Sequence, residues 1–300
     1  MGLGHDGIVG APRSVPLQRA RSTIGPVLPS RTSRTRRALA LAALAAVALV
    51  PLACGADDGG SSASAERGTS ASELPRGDAP VDLDPDRFTA DVDHPYFPLR
   101  PGTRWTYREV DEEGTTVDVV VTATSVTRRI ANGIDARVVR DTVREDGQIV
   151  EDTFDWYAQD DEGNVWYMGE DTAELEDGEI TSREGSFEAG VDGAQPGIIM
   201  PAEPEAGQRY RQEFLEGEAE DQGAVLSTDE LVEAPIGQYD HAVLTKDTNA
   251  LEPDVSEYKL YARDVGLVLT LDVSGGTGRE ALVSVDEVGA DAGTGPLGSP

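Results

Sequence analysis

Hydrophobic and polar positions fall into three regimes along this chain. Residues 38–53 are an apolar run of Ala, Leu and Val broken only by Pro51, and a basic stretch ending in Thr35-Arg36-Arg37 precedes them. Residues 55–76 are mostly Gly, Ser, Ala, Asp and Glu, with almost nothing to bury. From Tyr96 onward, runs rich in β-branched and aromatic residues alternate with turn signals. Residues 116–127 (TVDVVVTATSVT) and 148–159 (QIVEDTFDWYAQ) are examples, and such runs favour pleated surfaces. Asp146-Gly147, Glu162-Gly163-Asn164, Asp177-Gly178 and Gly275-Gly276 separate them as hairpin turns. The pattern predicts an all-β, antiparallel domain of about ten to twelve strands with little helix. Residues 190–207 carry Pro196, Pro201 and Pro204 and read as a crossover rather than a central strand.

A near-constant offset links the two sides of that crossover. Pro101-Gly102-Thr103-Arg104-Trp105 aligns with Ala206-Gly207-Gln208-Arg209-Tyr210, 105 positions on, and Phe154-Asp155-Trp156-Tyr157-Ala158 aligns with Tyr258-Lys259-Leu260-Tyr261-Ala262, 104 positions on. The spacing predicts a duplication: two meanders of about five strands, over about 96–170 and 201–274, packed as one domain.

The apolar run explains the chain's single cysteine, Cys54. At about 1.5 Å rise per residue the run reaches roughly 24 Å as a helix, short of a ~30 Å hydrocarbon core, so it reads as an export signal rather than a transmembrane span. With Ala53 before Cys54, the junction resembles a bacterial lipoprotein signal peptide, although Pro51 and Leu52 depart from the usual residues there. That resemblance implies cleavage and lipidation at Cys54, attachment to the membrane through the lipid, and an extracytoplasmic location. Residues 1–53 are then the signal peptide, 54–93 a lipidated N-terminus and flexible acidic tether, 94–290 the β-rich ectodomain and 291–300 a disordered tail.

Composition narrows the function. The whole chain carries 25 basic and 56 acidic residues; without residues 1–53, which hold seven arginines and one aspartate, these become 18 and 55, a net charge of −37. Such a surface repels nucleic acid and anionic headgroups alike, so nucleic-acid binding is excluded. With Cys54 acylated no disulfide is available, and stability rests on the core alone.

Candidate chemistry is sparse. Asp82, Asp84, Asp86 and Asp93 have calcium-loop spacing, but Arg87 stands where the turn glycine belongs and Pro85 interrupts the loop, so no metal site is expected. The Asp160-Asp161-Glu162-Gly163-Asn164 turn is explained by its hairpin. His94 and His241 are the histidines outside the leader, and no GxSxG, HExxH or CxxC motif accompanies them. No cofactor is expected. Trp105, Tyr107, Phe154, Trp156, Trp166 and Tyr167 concentrate aromatic area in the first half, as core or as a ligand groove between the halves. On a strand Trp105 shares a face with Tyr107 and Phe154 with Trp156, while Tyr157 points away.

Three phrases resemble an uncharacterised family of exported bacterial proteins: Asp93-His94-Pro95-Tyr96-Phe97-Pro98-Leu99 on to Tyr107; Asp155-Trp156-Tyr157-Ala158-Gln159-Asp160 with Gly163-Asn164-Val165-Trp166-Tyr167; and Ile199-Met200-Pro201-Ala202. The family brings no assigned activity. A looser likeness, in curved antiparallel sheets on anchored envelope proteins, is to LolA/LolB-like carriers, which close a half-barrel with helices. The expectation is a membrane-anchored, non-catalytic binding or structural module whose protein or ligand partner is unspecified. A carrier of lipid or another hydrophobic ligand is the alternative, and an unrecognised hydrolase the second.

Overall fold

The computed structural model describes residues 74–110, 116–276, 278–289 and 291–299. Residues 1–53, read above as a signal peptide, and Cys54 lie outside the described residues. The described residues fold as sixteen strands in one antiparallel sheet. A short 3-10 turn, Pro85–Arg87, leads into β1 (Phe88–Thr89). The first meander follows as β2 (Thr103–Val110), β3 (Thr116–Arg129), β4 (Asp135–Glu145), β5 (Gln148–Asp160) and β6 (Val165–Glu176), with the short β7 (Glu179–Ser182) and β8 (Phe187–Glu188) on its edge and β9 (Gln195–Met200) as its sixth stave. The second runs through β10 (Arg209–Arg211), β11 (Glu213–Phe214), β12 (Asp221–Ala234), β13 (Gly237–Asn249), β14 (Ser256–Ala262), β15 (Gly266–Ser274) and β16 (Arg279–Glu287). Eleven strands have six or more residues, and the total of sixteen exceeds the ten to twelve that the pattern predicts. The extra strands are two- to four-residue pieces with too little pattern to read.

The sheet all but closes into a barrel. β16 pairs with β2 on one side; on the other, the segment containing β10 and β11 pairs first with β12 and then with β9. Each half is therefore a meander of six staves in the same order, spanning 103–200 and 209–287, one strand longer than the predicted units. β3 and β12 are each fourteen residues long and begin 105 positions apart. The turns entering the halves repeat one bond, Thr103 N to Arg100 O and Gln208 N to Glu205 O, both 3.1 Å, around Gly102 and Gly207 at positive φ. Tyr157 and Tyr261, 104 apart, both pack on Phe97, with ring centroids at 5.4 and 6.3 Å. Phe97 thus sits between the halves, and one continuous core results.

Two predicted turns carry their expected geometry: Asp146-Gly147 and Asp177-Gly178 both have positive φ at both residues, as the twist of a two-residue hairpin demands. The predicted proline-rich crossover, however, contains a paired strand. β9 lies between β6 and β11, and it tolerates Pro196 because the β6 ladder ends at Gly197, so no bond to β6 needs the missing N–H. Gly197 is required there: a Cβ would collide with the backbone of Arg211 and Gln212.

Residues 74–93 and 296–299, within the expected tether and tail, are bonded to the barrel, and the rest of the tether lies outside the described residues. Residues 74–93 run along the barrel. Arg211, 1% exposed, donates from Nη1 to the carbonyls of Gly77 and Ala79, both at 2.8 Å, and from Nε and Nη2 to Pro196 O. Residues 296–299 close over a buried Arg140–Asp152 pair on the outer face: Ser299 O accepts from Arg140 Nη2 (2.8 Å) and Gly298 N donates to Asp152 Oδ2 (2.6 Å). Backbone groups satisfy buried charges here, which acidic composition alone could not reveal. Among the described residues there is no α-helix, so strands rather than the helices of a LolA/LolB-like half-barrel close the sheet, and no helix is long and apolar enough to cross a membrane.

Candidate functional site

The six aromatic residues proposed for a groove do not share a surface. Residues directly opposite on neighbouring strands share a face, and Tyr157, which meets Phe97 from one half as Tyr261 does from the other, marks the inner face. Tyr167 is opposite Tyr157 and stacks on it at 5.0 Å, so it is inside. Trp105 and Tyr107 also point inward, donating to the carbonyls of Val265 (2.8 Å), just before β15, and Leu267 (3.0 Å) on β15, where pairing with β16 has ended. Phe154, Trp156 and Trp166 lie on the outer face. Trp156 is covered by the β3–β4 hairpin, whose Arg128 guanidinium stands 3.9 Å above the indole and pairs with Glu188 at 2.6 Å. Trp166 donates to Asp160 Oδ2 (2.8 Å) and packs edge-on against Phe88. All but Phe154, which is half-buried, are buried.

Two of the four metal-spacing residues have structural tasks. Asp84 caps the 3-10 turn by accepting from Asp86 N, and Asp93 accepts from Gln159 Nε2. Asp160 holds its hairpin by accepting from Glu162 N, Asn164 N and Asn164 Nδ2. His94 is buried with both ring nitrogens engaged by backbone: Nδ1 accepts from Tyr96 N (3.1 Å) and Nε2 donates to Ala202 O (3.2 Å). Burial lowers its pKa, which keeps this neutral tautomer. His241 is exposed and 2.5 Å from Asp229.

The chemistry gathers instead in the lumen, on residues the sequence pattern did not single out. Carboxylates occupy five successive staves: Asp247 on β13, Glu257 on β14, Asp272 on β15, Glu280 on β16 and Glu109 on β2. Asp247 is opposite Glu257, Glu257 opposite Asp272, and Glu280 opposite Glu109. The buried cation of this belt is Lys259, 2.9 Å from Asp247 and 3.4 Å from Glu257, with its side chain fully buried. Burial opposes its charge, but the two carboxylates outweigh burial and raise its pKa above the ordinary value. Asp247 also accepts from Gln212 Nε2 and Thr245 Oγ1, both at 3.1 Å. Burial, reinforced by neighbouring carboxylates, raises the pKa of Tyr107, Tyr157, Tyr167 and Tyr210, so these hydroxyls remain protonated.

No protein-family model and no curated protein matches this chain. Among solved structures it is similar to a "putative lipoprotein" from Parabacteroides distasonis ATCC 8503, at 14% identity over 64% of this chain and 99% of that one, with a TM-score of 0.37. A β-barrel-like protein of a domain of unknown function from Brucella abortus is 12% identical over 62% of this chain and 98% of its own, with a TM-score of 0.33.

Glu280 is the strained member of the belt. It is 5% exposed, and its Oε2 accepts no hydrogen bond. Burial first, then Glu109, Asp141 and Glu257, raise its pKa well above that of a free glutamate; Glu257 is raised too, mainly by burial. A raised carboxyl binds its proton more tightly folded than unfolded. Its stabilising contribution is therefore complete below the unfolded value of about 4.3 and is lost as pH rises through the folded value. Glu280→Gln, neutral at every pH, is expected to match wild type near pH 4 and exceed it increasingly toward pH 8. Urea midpoints of both proteins across that range check this; a constant difference would place Glu280 in a solvated site.

Proposed function

We propose that the protein is a lipid-anchored envelope protein whose barrel serves as a non-catalytic binding module outside the membrane. The leader and Cys54 supply the anchor in this reading, and the fold supports it at one place. Arg211 fastens residues 75–79 to the barrel where β9 and β10 meet, so a pull on the N-terminus is taken up by backbone bonds rather than by a loose end. The nineteen residues 55–73 set the remaining reach to the lipid, at most about 70 Å at full extension. Burial lowers the Arg211 pKa to about 10, and it remains charged at neutral pH.

Packing of Trp105, Tyr107, Trp156, Trp166 and Tyr167, divided between two faces, favours a binding module over a carrier with an apolar cavity. His94, held by backbone at both nitrogens, is unsuited to proton transfer, which favours the non-catalytic reading over a hydrolase.

The test is the anchor. Two acyl chains hold a protein on a membrane where one is marginal, at about 0.8 kcal/mol per buried CH₂. Cys54→Ser is expected to release the protein from the membrane fraction. Membrane retention of a variant with intact, unlipidated leader would mean that residues 38–53 anchor the chain by themselves.

A further inference from the structure

We propose that Asp155 and Glu170 share one proton across the hydroxyl of Tyr167, and that this buried clasp makes the hold of β8 on the barrel sensitive to alkaline pH. The two residues are directly opposite each other on β5 and β6 and are 2% and 7% exposed. Both end on one atom: Tyr167 Oη lies 2.7 Å from Asp155 Oδ1 and 2.8 Å from Glu170 Oε2. Those are ordinary O–H···O lengths, and each needs a hydrogen between its oxygens. A phenol has a single hydrogen, which serves one of the two contacts. The other hydrogen belongs to a carboxyl that donates to the phenol oxygen. Leaving both carboxyls ionised would instead set like charges opposite each other in a low-dielectric interior.

The surroundings favour that proton. Burial and the two carboxylates keep the phenolic hydrogen on Tyr167, so it stays in place as one of the two. Tyr157 stacks on Tyr167 at 5.0 Å, and its buried Oη has no bonding partner among the described residues. Besides Asp155 and Glu170, the groups whose charge acts on these two hydroxyls are Glu213 from β11, Asp141 from β4 and Tyr261 from β14. β9 brings no ionisable side chain, Glu188 of β8 is taken up by Arg128 and Ala131 N, and Asp171 of β6 pairs with Arg183. The groups acting on the clasp are thus acids, and each disfavours a second negative charge there.

β8 is seated on the clasp. Phe187 is opposite Glu170 and meets the Tyr167 ring edge-on at 5.5 Å. Gly169, at positive φ, gives the Phe187 backbone room where a Cβ would collide. The next residue, Glu188, holds the β3–β4 hairpin through Arg128 and Ala131 N. Loss of the shared proton puts a second charge beneath Phe187, so β8 and the hairpin roof over Trp156 loosen together. The proton is bound more tightly folded than unfolded, so its stabilising contribution is complete at low pH and is lost as pH rises through the folded value.

The clasp is independent of the lipid anchor and of any ligand, so a chain without either should behave alike. The experiment is infrared spectroscopy of the full chain at pH 7, paired with hydrogen exchange from pH 7 to pH 10. Glu170→Gln and Asp155→Asn, both close in shape to the native residues, are each expected to lose the C=O stretch of one protonated carboxyl relative to wild type, and the double variant no more than that one. Exchange in residues 183–190 and 124–136 of the wild type should quicken, beyond the intrinsic pH dependence, by up to about tenfold per pH unit once the proton leaves. In Glu170→Gln, whose amide hydrogens do not titrate, it should not. A carboxyl band undiminished in both single variants would overturn the shared proton. The same exchange profile in wild type and Glu170→Gln would overturn its hold on β8.

Discussion

Lys259→Met is expected to destabilise the fold by about 3–5 kcal/mol, because it leaves Asp247 as a buried carboxylate without its cation. Both side chains of the pair are fully buried and 2.9 Å apart. Gln212 and Thr245 still donate to Asp247 after the change, but they are neutral and cannot offset a charge removed from water. The loss is read from urea midpoints, and it should depend little on salt, since a buried pair is poorly screened. Adding Asp247→Asn to Lys259→Met should recover much of it by removing the orphaned charge. A single variant as stable as wild type would show that water or a proton reaches Asp247 in the folded state.

Trp156→Ala is expected to cost a similar 3–5 kcal/mol, here through lost apolar burial and a residual cavity. The indole is 3% exposed, lies under the Arg128 guanidinium and is roofed by the β3–β4 hairpin. Losing it should also loosen that hairpin, since Arg128 and Ala131 both reach Glu188 from the same roof. Hydrogen exchange in residues 124–136 should quicken more than in β12–β13. A variant with wild-type stability would mean that the hairpin collapses onto the vacated space at no cost.

The two substitutions probe opposite faces of one sheet, and that difference separates what was readable in the residues from what was not. The alternation of Val, Thr and aromatic residues with Asp-Gly turns reports strands and hairpins directly, because side-chain period and turn φ are local properties. The 104–105 spacing was readable for the same reason, and it separates the starts of β3 and β12, Gly102 from Gly207, and Tyr157 from Tyr261. The sequence also placed Phe154 and Trp156 on one face and Tyr157 on the other, but could not say which face is inside. Local pattern equates the more apolar face with the core. Here the hairpin that folds back over Trp156 buries the outer face too, and leaves Asp155 and Tyr157 for the lumen.

The acidic belt was hidden by the same ambiguity. In Ser256–Ala262, Glu257, Lys259 and Tyr261 alternate with Tyr258, Leu260 and Ala262, which reads as a solvated face backing an apolar one. Among 56 acidic residues, Asp247, Asp272, Glu280 and Glu109 carry no distinguishing spacing, since they lie on separate strands. Strand content is encoded within a few neighbouring residues, so the sequence by itself determined it. Which carboxylates meet, and that their face is enclosed, was decided only by closure of the barrel, which joins β16 to β2 across some 170 residues of chain.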